Sequence, residues 1–177
     1  MVLGPERQVV IHLAARLIGT KSQKYRYEDM SAGSHPETGF DCSGFVTYVL
    51  STCGINIPPH VDHAGNIRPT RHANELWDNY GIAVHQAHAL PGDLLFFSRQ
   101  GWWPTHVGIY TGSNTYIHSP GINDAMVCAA TFEFDGTPIE GNANSEHRQL
   151  YQTNPIGFKA LSIPNAVSYR IYQKPLD

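Results

Sequence analysis

The sequence of 177 residues carries a formal net charge of −3 at pH 7, and 41% of its residues are apolar. A chain of this length normally folds around one core, so we predict a single domain over residues 1–177. The mild charge and the absence of a Lys/Arg cluster argue against a nucleic-acid partner. No apolar segment reaches the roughly 20 residues that cross a bilayer, so no membrane span is expected. Residues 1–7 also lack the pattern of a secretory signal.

Helical patterns come first along the chain. Pro5 and a row of apolar residues predict a helix over residues 5–18, ending at Gly19. A second helix is predicted to begin at Cys42, and a short third helix at Ala73–Asn79. Four apolar runs then predict strands of one antiparallel sheet: residues 94–97, 107–111, 116–118 and 167–173. The pattern therefore predicts an α+β fold, with N-terminal helices packed on an antiparallel sheet.

The segment over residues 129–165 is polar and rich in turn-forming residues. Long loops in compact domains are commonly functional or mobile. We therefore expect this segment to be an atypical insert that forms the rim of a substrate cleft. Three phenylalanines are candidates for anchoring it: Phe132, Phe134 and Phe158.

The most informative stretch covers residues 39–46, because small and turn-forming residues precede Cys42 and apolar residues with helical spacing follow it. Cys42 is therefore predicted in the first turn of a helix. The helix dipole and the unpaired backbone N–H groups at that position favour a thiolate, so we expect a lowered thiol pKa and a nucleophilic sulfur.

Two histidines follow on a predicted β-hairpin. His106 opens one strand, His118 closes the next, and turn-forming residues lie between the strands at 112–114. An imidazole beside a cysteine can serve as general base, and a second polar side chain can orient that base through one hydrogen bond. Cys42, His106 and His118 are thus the candidate catalytic residues.

Three motifs resemble the NlpC-type bacterial cell-wall cysteine peptidases, a compact branch of the papain-like fold. Residues 41–46 resemble the nucleophile motif of that family, residues 91–97 its central strand, and residues 106–110 its base motif. The resemblance runs from about residue 25 to about residue 127 and returns at residues 169–172. It implies a papain-like domain with a Cys42–His106–His118 triad.

The resemblance also implies a substrate, a peptidoglycan stem peptide cut between γ-D-glutamate and a diamino acid, or a related N-acyl linkage. It implies a set of substrate-binding residues: Tyr25, Asp41, Ser43 and Thr105. Tyr25 is preferred to Tyr27 as the family's tyrosine, although Glu28 and Asp29 stand where relatives usually have glycines. The implied place of action is the cell wall, periplasmic or extracellular. Since no signal is evident, the routes open are a removed leader, signal-less export or action in the cytoplasm.

The chain has ten histidines, which raises the question of a metal site. His60 with His63, and His85 with His88, have helical spacing, but prolines beside them favour loops. Structural zinc needs four well-spaced ligands and catalytic zinc a defined trio, and neither pattern is evident, so no metal or other cofactor is expected. The remaining cysteines, Cys53 and Cys128, are interpreted as packing residues.

Other functions fit the same residues. An amidase or acyltransferase acting on another N-acyl substrate, including a secreted toxin or a phage-type lytic enzyme, would keep the three catalytic residue types. A non-catalytic binding module with a degenerate site would lose at least one of them. The sequence does not indicate whether an immunity or delivery protein is a further partner.

Overall fold

The computed structural model describes residues 3–26, 28–98, 104–132 and 154–161. The helices are α1 (Pro5–Arg16), α2 (Cys42–Thr52) and α3 (Ala73–Asn79), with a 3₁₀ turn at Gln86–His88. Two small hairpins lie outside the main sheet: β1 (Ser34–His35) with β2 (Gly39–Phe40), and β3 (His60–Val61) with β4 (Ile67–Arg68). The main-sheet strands are β5 (Ala83–Val84), β6 (Leu94–Ser98), β7 (His106–Gly112), β8 (Thr115–His118), β9 (Cys128–Thr131) and β10 (Asn154–Lys159).

Within the described residues the main sheet has six strands in the order β5-β10-β6-β7-β8-β9, and every neighbouring pair is antiparallel. Helices and antiparallel strands thus build the predicted α+β fold. The predicted strands over 94–97, 107–111 and 116–118 are confirmed as the central part of this sheet, whereas residues 167–173 lie outside the described residues. None of the helices in the described ranges has the length and apolar character needed to cross a membrane.

Strand β6 is buried along its whole length and separates two apolar layers. Leu94 and Phe96 pack toward the helices, and Leu95 and Phe97 pack on the opposite face, as the two-residue period of a strand requires. The helix-side layer contains buried side chains of α1 and α2, including Val10, Ala14, Phe45, Val46, Val49 and Leu50. This packing fixes α2 against the sheet, and with it the position of Cys42.

Helix α1 ends two residues earlier than predicted, at Arg16. Its buried Arg7 donates to Asp93 at 2.7 Å, which fastens the helix to the residue before β6. Helix α3 has the predicted bounds.

The segment over residues 129–165 was predicted to be an insert at the rim of a cleft, but its described ends form strands of the main sheet. Cys128–Thr131 forms an edge strand, and Asn154–Lys159 pairs with both β5 and β6 inside the sheet. The alternating pattern of β10 is interrupted by a register shift between Pro155 and Gly157, which is why the sequence did not predict a strand. Phe132 and Phe158 pack in the apolar layer on the far face of the sheet, and Phe134 lies outside the described residues.

Candidate active site

Cys42 is the first residue of α2, as predicted. The carboxylate of Asp41 caps this helix by accepting a hydrogen bond from the backbone N–H of Gly44 at 2.8 Å. Gly44 allows a close approach of the loop before β1, since a Cβ there would stand 1.8 Å from the carbonyl oxygen of Gly33. That same oxygen accepts from the backbone N–H of Asp41 at 2.9 Å. The start of α2 is therefore clamped to a neighbouring loop.

Cys42 is half-buried, and the backbone N–H groups of Ser43 and Val107 favour its thiolate. Burial and the nearby Asp41 carboxylate raise the pKa of the Cys42 thiol to about 12. Those two N–H groups and the Arg71 guanidinium oppose the rise without reversing it. The predicted lowering of the pKa is therefore wrong for the resting site, because desolvation outweighs the helix N-terminus.

His106 and His118 meet on adjacent strands. His106 is the first residue of β7, His118 is the last of β8, and both rings are buried. The Nε2 atom of His106 lies 2.7 Å from Nδ1 of His118, and the two ring planes are nearly perpendicular at 86°. His106 is next to Val107, whose backbone N–H favours the Cys42 thiolate. The structure thus pairs the two predicted histidines, and it packs the strand that begins at His106 against the helix that begins at Cys42.

A second thiol lies behind the histidine pair. Cys128 on β9 stands directly opposite His118 in the strand register, and its Sγ atom is 3.5 Å from Nε2 of His118. Sequence reasoning treated Cys128 as a packing residue. The pairing of β8 with β9 places it there, and nothing in the residues around Cys128 signals that pairing.

Arg71 is a further residue that sequence reasoning missed. Its Nη1 atom donates to Asp41 and to the Ser43 hydroxyl, both at 2.9 Å, and its Nη2 atom donates to the second Asp41 oxygen and to Ala32 O. Its Nε donates to Met30 O at 2.8 Å, so each of the five guanidinium N–H donors has an acceptor. Asp41 and Ser43 are accordingly buried residues that tie the nucleophile's helix to Arg71.

A cleft of about 280 Å³ opens onto Cys42. All four predicted substrate-binding residues line it, together with Pro104, the first two residues of α3 and the residue before that helix: Tyr25, Asp41, Ser43, His72, Ala73, Asn74, Pro104 and Thr105. Sequence reasoning missed His72, whose Nε2 atom lies 3.2 Å from the Tyr25 hydroxyl. Burial lowers the pKa of His72, so its ring is neutral at pH 7 and can donate or accept one hydrogen bond per nitrogen.

Two of the histidines considered as metal ligands lie near other protein groups. His60 lies 3.8 Å from Glu75, and His85 accepts a hydrogen bond from the backbone N–H of Ala87 at 3.2 Å. In the ranges that the structure describes, no group of three or more His, Cys, Asp or Glu side chains could hold a metal ion. The expectation of a cofactor-free site stays a prediction.

Two curated proteins illustrate the similarity of this chain to known sequences. A gamma-DL-glutamyl hydrolase of Bacillus subtilis (strain 168) is 31% identical over 115 residues, which is 63% of this chain and 23% of the relative. The murein DD-endopeptidase MepH of Escherichia coli (strain K12) is 38% identical over 90 residues, which is 50% of this chain and 29% of the relative. The match thus spans about a quarter of the length of these relatives.

Comparison with solved structures shows that this chain also shares its fold with a known protein. RipD from Mycobacterium tuberculosis, described as a non-catalytic NlpC/p60 domain protein adapted to peptidoglycan binding, is 18% identical, with a TM-score of 0.54. The alignment covers 90% of this chain and 100% of RipD. The sequence model of the NlpC/P60 family matches residues 22–134, which include Tyr25, the Cys42 helix and both histidines. The resemblance noted in the sequence is thereby confirmed, and the chain belongs to the NlpC/P60 family.

Proposed function

We propose that this protein is a cysteine peptidase that hydrolyses an amide bond in peptidoglycan stem peptides, with Cys42, His106 and His118 as its triad. The observation that carries the proposal is the junction of α2 with β7. There the helix that begins at Cys42 packs on the strand that begins at His106, and His106 is bonded to His118 at 2.7 Å. This junction opens to a cleft of about 280 Å³, large enough for a few atoms of a peptide on either side of an amide. These features support the proposal of a papain-like active site.

The reaction begins with a thiol. Because the pKa of Cys42 is raised, its proton passes to His106 as the sulfur attacks the carbonyl carbon, and His106 acts as a general base. The Nε2 atom of His106 faces His118, so Nδ1 is the nitrogen that takes this proton. The resulting imidazolium then donates through Nε2 to His118, which stabilises the charge and holds the ring.

The tetrahedral oxyanion forms at the start of α2. Backbone N–H groups in the first turn of a helix have no partner within the helix, and they can donate to a developing negative charge. Tyr25 lines the same cleft, and its hydroxyl is the proposed second donor. His106 next protonates the leaving amine, giving a thioester on Cys42. Water attacks the thioester after losing a proton to His106, which returns the free thiol and the carboxylic acid product.

The bond that we propose is the one between γ-D-glutamate and the diamino acid. The name of the Bacillus relative, gamma-DL-glutamyl hydrolase, favours it, whereas the name of the E. coli relative, murein DD-endopeptidase, favours the D,D cross-link. Tyr25 and Thr105 are the proposed substrate contacts on the walls of the cleft. Asp41 and Ser43 contribute at its base, where they also hold the Cys42 helix to Arg71. The proposed place of action is the cell wall.

The test is mass spectrometry of purified muropeptides, both monomeric and cross-linked, incubated with the wild type and with Cys42→Ala. Cys53→Ala is the matched control, since Cys53 lies at the opposite end of α2. The proposal expects cleavage by the wild type and the control, none by Cys42→Ala, and a mass difference that identifies the D-glutamyl bond. Cleavage of the D,D cross-link alone would replace the proposed bond, and equal cleavage by Cys42→Ala would overturn the mechanism.

A binding module is the second candidate, because the fold is shared with RipD, whose description is non-catalytic. Sedimentation with insoluble peptidoglycan distinguishes the two. Retention on peptidoglycan without release of any fragment would support the module, whereas turnover of the muropeptides excludes it. Turnover of another N-acyl substrate by the wild type, with intact muropeptides, would instead indicate an amidase or acyltransferase on the same triad.

A further inference from the structure

We propose that Cys128 is a positioning residue of the triad, whose sulfur accepts a hydrogen bond from His118 and fixes the tautomer of that ring. The inference rests on the proposed function, because it assigns a partner to the third member of the triad. It begins with the 3.5 Å separation between Cys128 Sγ and His118 Nε2. The strand register puts the two residues directly opposite each other, so that the contact is imposed by the sheet rather than by a mobile side chain.

The tautomer argument starts from the other nitrogen of His118. When His106 carries a proton on each nitrogen, its Nε2–H points at Nδ1 of His118 across 2.7 Å. Nδ1 of His118 must then accept, and a neutral imidazole that accepts at Nδ1 carries its proton on Nε2. That Nε2–H faces the Cys128 sulfur, which is a weak acceptor. In the neutral pair, where His106 can instead accept at Nε2, both tautomers of His118 fit the 2.7 Å contact, and the acceptor at Cys128 favours the one protonated on Nε2.

The chemistry of the sulfur agrees with this role. Burial raises the pKa of the Cys128 thiol to about 11, so the group is a neutral thiol at pH 7 and can accept without introducing a charge beside the pair. The Tyr116 ring lies against the His118 ring with centroids 4.7 Å apart, and this contact limits rotation of the imidazole. Three side chains thus follow one another in contact: His106, His118 and Cys128.

If Cys128 served only for packing, its replacement would have a different effect. Strand β9 is at the edge of the sheet, and its side chains alternate between half-buried and exposed, with Cys128 among the half-buried ones. Removal of a half-buried sulfur changes stability by a small amount, and it does so equally in the free and the substrate-bound protein. A positioning role instead changes the protonation of the histidine pair, which stability measurements do not report.

The first experiment reads the tautomer directly, and it needs no enzymatic activity. Protein labelled with ¹⁵N-histidine is compared as wild type, Cys128→Ala and Cys128→Ser by long-range ¹H–¹⁵N NMR, with His118 assigned from the His118→Asn spectrum. The wild type should give the pattern of a ring protonated at Nε2. Cys128→Ser should keep that pattern because a hydroxyl also accepts, whereas Cys128→Ala should give a mixture of tautomers or a shifted Nε2 resonance.

The second experiment reads the consequence for turnover of the muropeptide substrate. Loss of one hydrogen bond of ordinary strength should lower kcat of Cys128→Ala roughly 3–10-fold and leave KM nearly unchanged. The acidic limb of the pH profile should shift, and Cys128→Ser should recover most of the rate. Cys53→Ala serves as the control for removal of a cysteine elsewhere. Far-UV circular dichroism confirms that each variant is folded.

Several results would overturn the inference. An unchanged tautomer pattern in a folded Cys128→Ala variant would do so whether or not the protein cleaves muropeptides. A kcat loss that Cys128→Ser fails to recover, with the wild-type tautomer retained, would also reject it. If the wild type cleaves no muropeptide while the tautomer depends on Cys128, the positioning contact stands and the proposed function fails.

Discussion

Replacement of Gly44 by alanine gives the sharpest test of how the nucleophile is held. Two effects oppose each other at this position. Alanine inside a helix normally stabilises it by roughly 0.5–1 kcal/mol relative to glycine. In this protein the new Cβ would stand 1.8 Å from Gly33 O and 2.7 Å from Gly33 C, whereas real Cβ contacts are essentially never under 3.0 Å. The obstacle is backbone, so no side-chain rotation can relieve it.

The clash therefore outweighs the gain in helix propensity. Forcing one carbon into a packed site costs typically about 1–3 kcal/mol. With the middle of each range, the propensity gain subtracted from the clash leaves a fall in the free energy of unfolding of about 1 kcal/mol. For a domain of this size that corresponds to a decrease in Tm of about 2–4 °C. The same displacement moves Cys42, and a misplacement of about 1 Å at reacting atoms can lower the rate about 100-fold.

The assay is urea unfolding of the wild type, Gly44→Ala and Ser51→Ala, followed by the muropeptide assay on the folded variants. Ser51 is an exposed residue of the same helix, and its replacement should change stability by less than about 0.5 kcal/mol. A Gly44→Ala variant that is as stable as the wild type would refute the steric reasoning. It would mean that α2 and the Gly33 loop can separate at no cost.

Three further predictions use the charges around the site. Only the thiolate is alkylated, so the iodoacetamide reaction of Cys42 should still accelerate with pH at about pH 10. A plateau reached at or below about pH 10, measured by mass spectrometry, would contradict the raised pKa. Asp41→Asn keeps a cap for α2 but leaves Arg71 with no carboxylate, so unfolding in urea should show a loss of about 3–5 kcal/mol. The variant should also move the Cys42 alkylation profile to lower pH, and an unmoved profile would rule out the influence of that carboxylate. For Glu75, burial would raise the pKa, but hydrogen bonds from Arg68 and backbone N–H groups outweigh it and hold the pKa at about 2. This lowered pKa stabilises the fold above about pH 4.5, and the gain is lost as the pH falls toward 2. After allowance for solvent around the partly exposed Arg68, the loss should be about 1–2 kcal/mol in acid unfolding curves, and Glu75→Gln should remove that slope.

Much of the local structure could be predicted because it depends on neighbours along the chain. The start of α2 at Cys42 follows from turn-forming residues before it and apolar spacing after it, and the structure confirms it. The hairpin that carries His106 and His118 follows from two apolar runs around a turn. Strand β10 could not be predicted, since the register shift at Pro155 and Gly157 breaks its pattern and its partners lie far away in sequence.

The residues of the candidate site also divide into those that could be predicted from their neighbours in sequence and those that could not. The types and order of Cys42, His106 and His118 were already sufficient to predict a cysteine nucleophile with a histidine base. The residues that were missed act through contacts between distant parts of the chain. Arg71 reaches Asp41 over 30 residues, and His72 reaches Tyr25 over 47 residues.

The sequence by itself determined which side chains could do chemistry and where the helix and hairpin that carry them begin, because those properties depend on residues within a few positions of each other. Tertiary structure alone decided the surroundings of the Cys42 thiol and of the His118 ring. The raised pKa of Cys42 comes from burial and from Asp41, and the contact between His118 and Cys128 comes from the pairing of β8 with β9. Burial and strand pairing depend on the whole packed chain, so no short stretch of sequence encodes them.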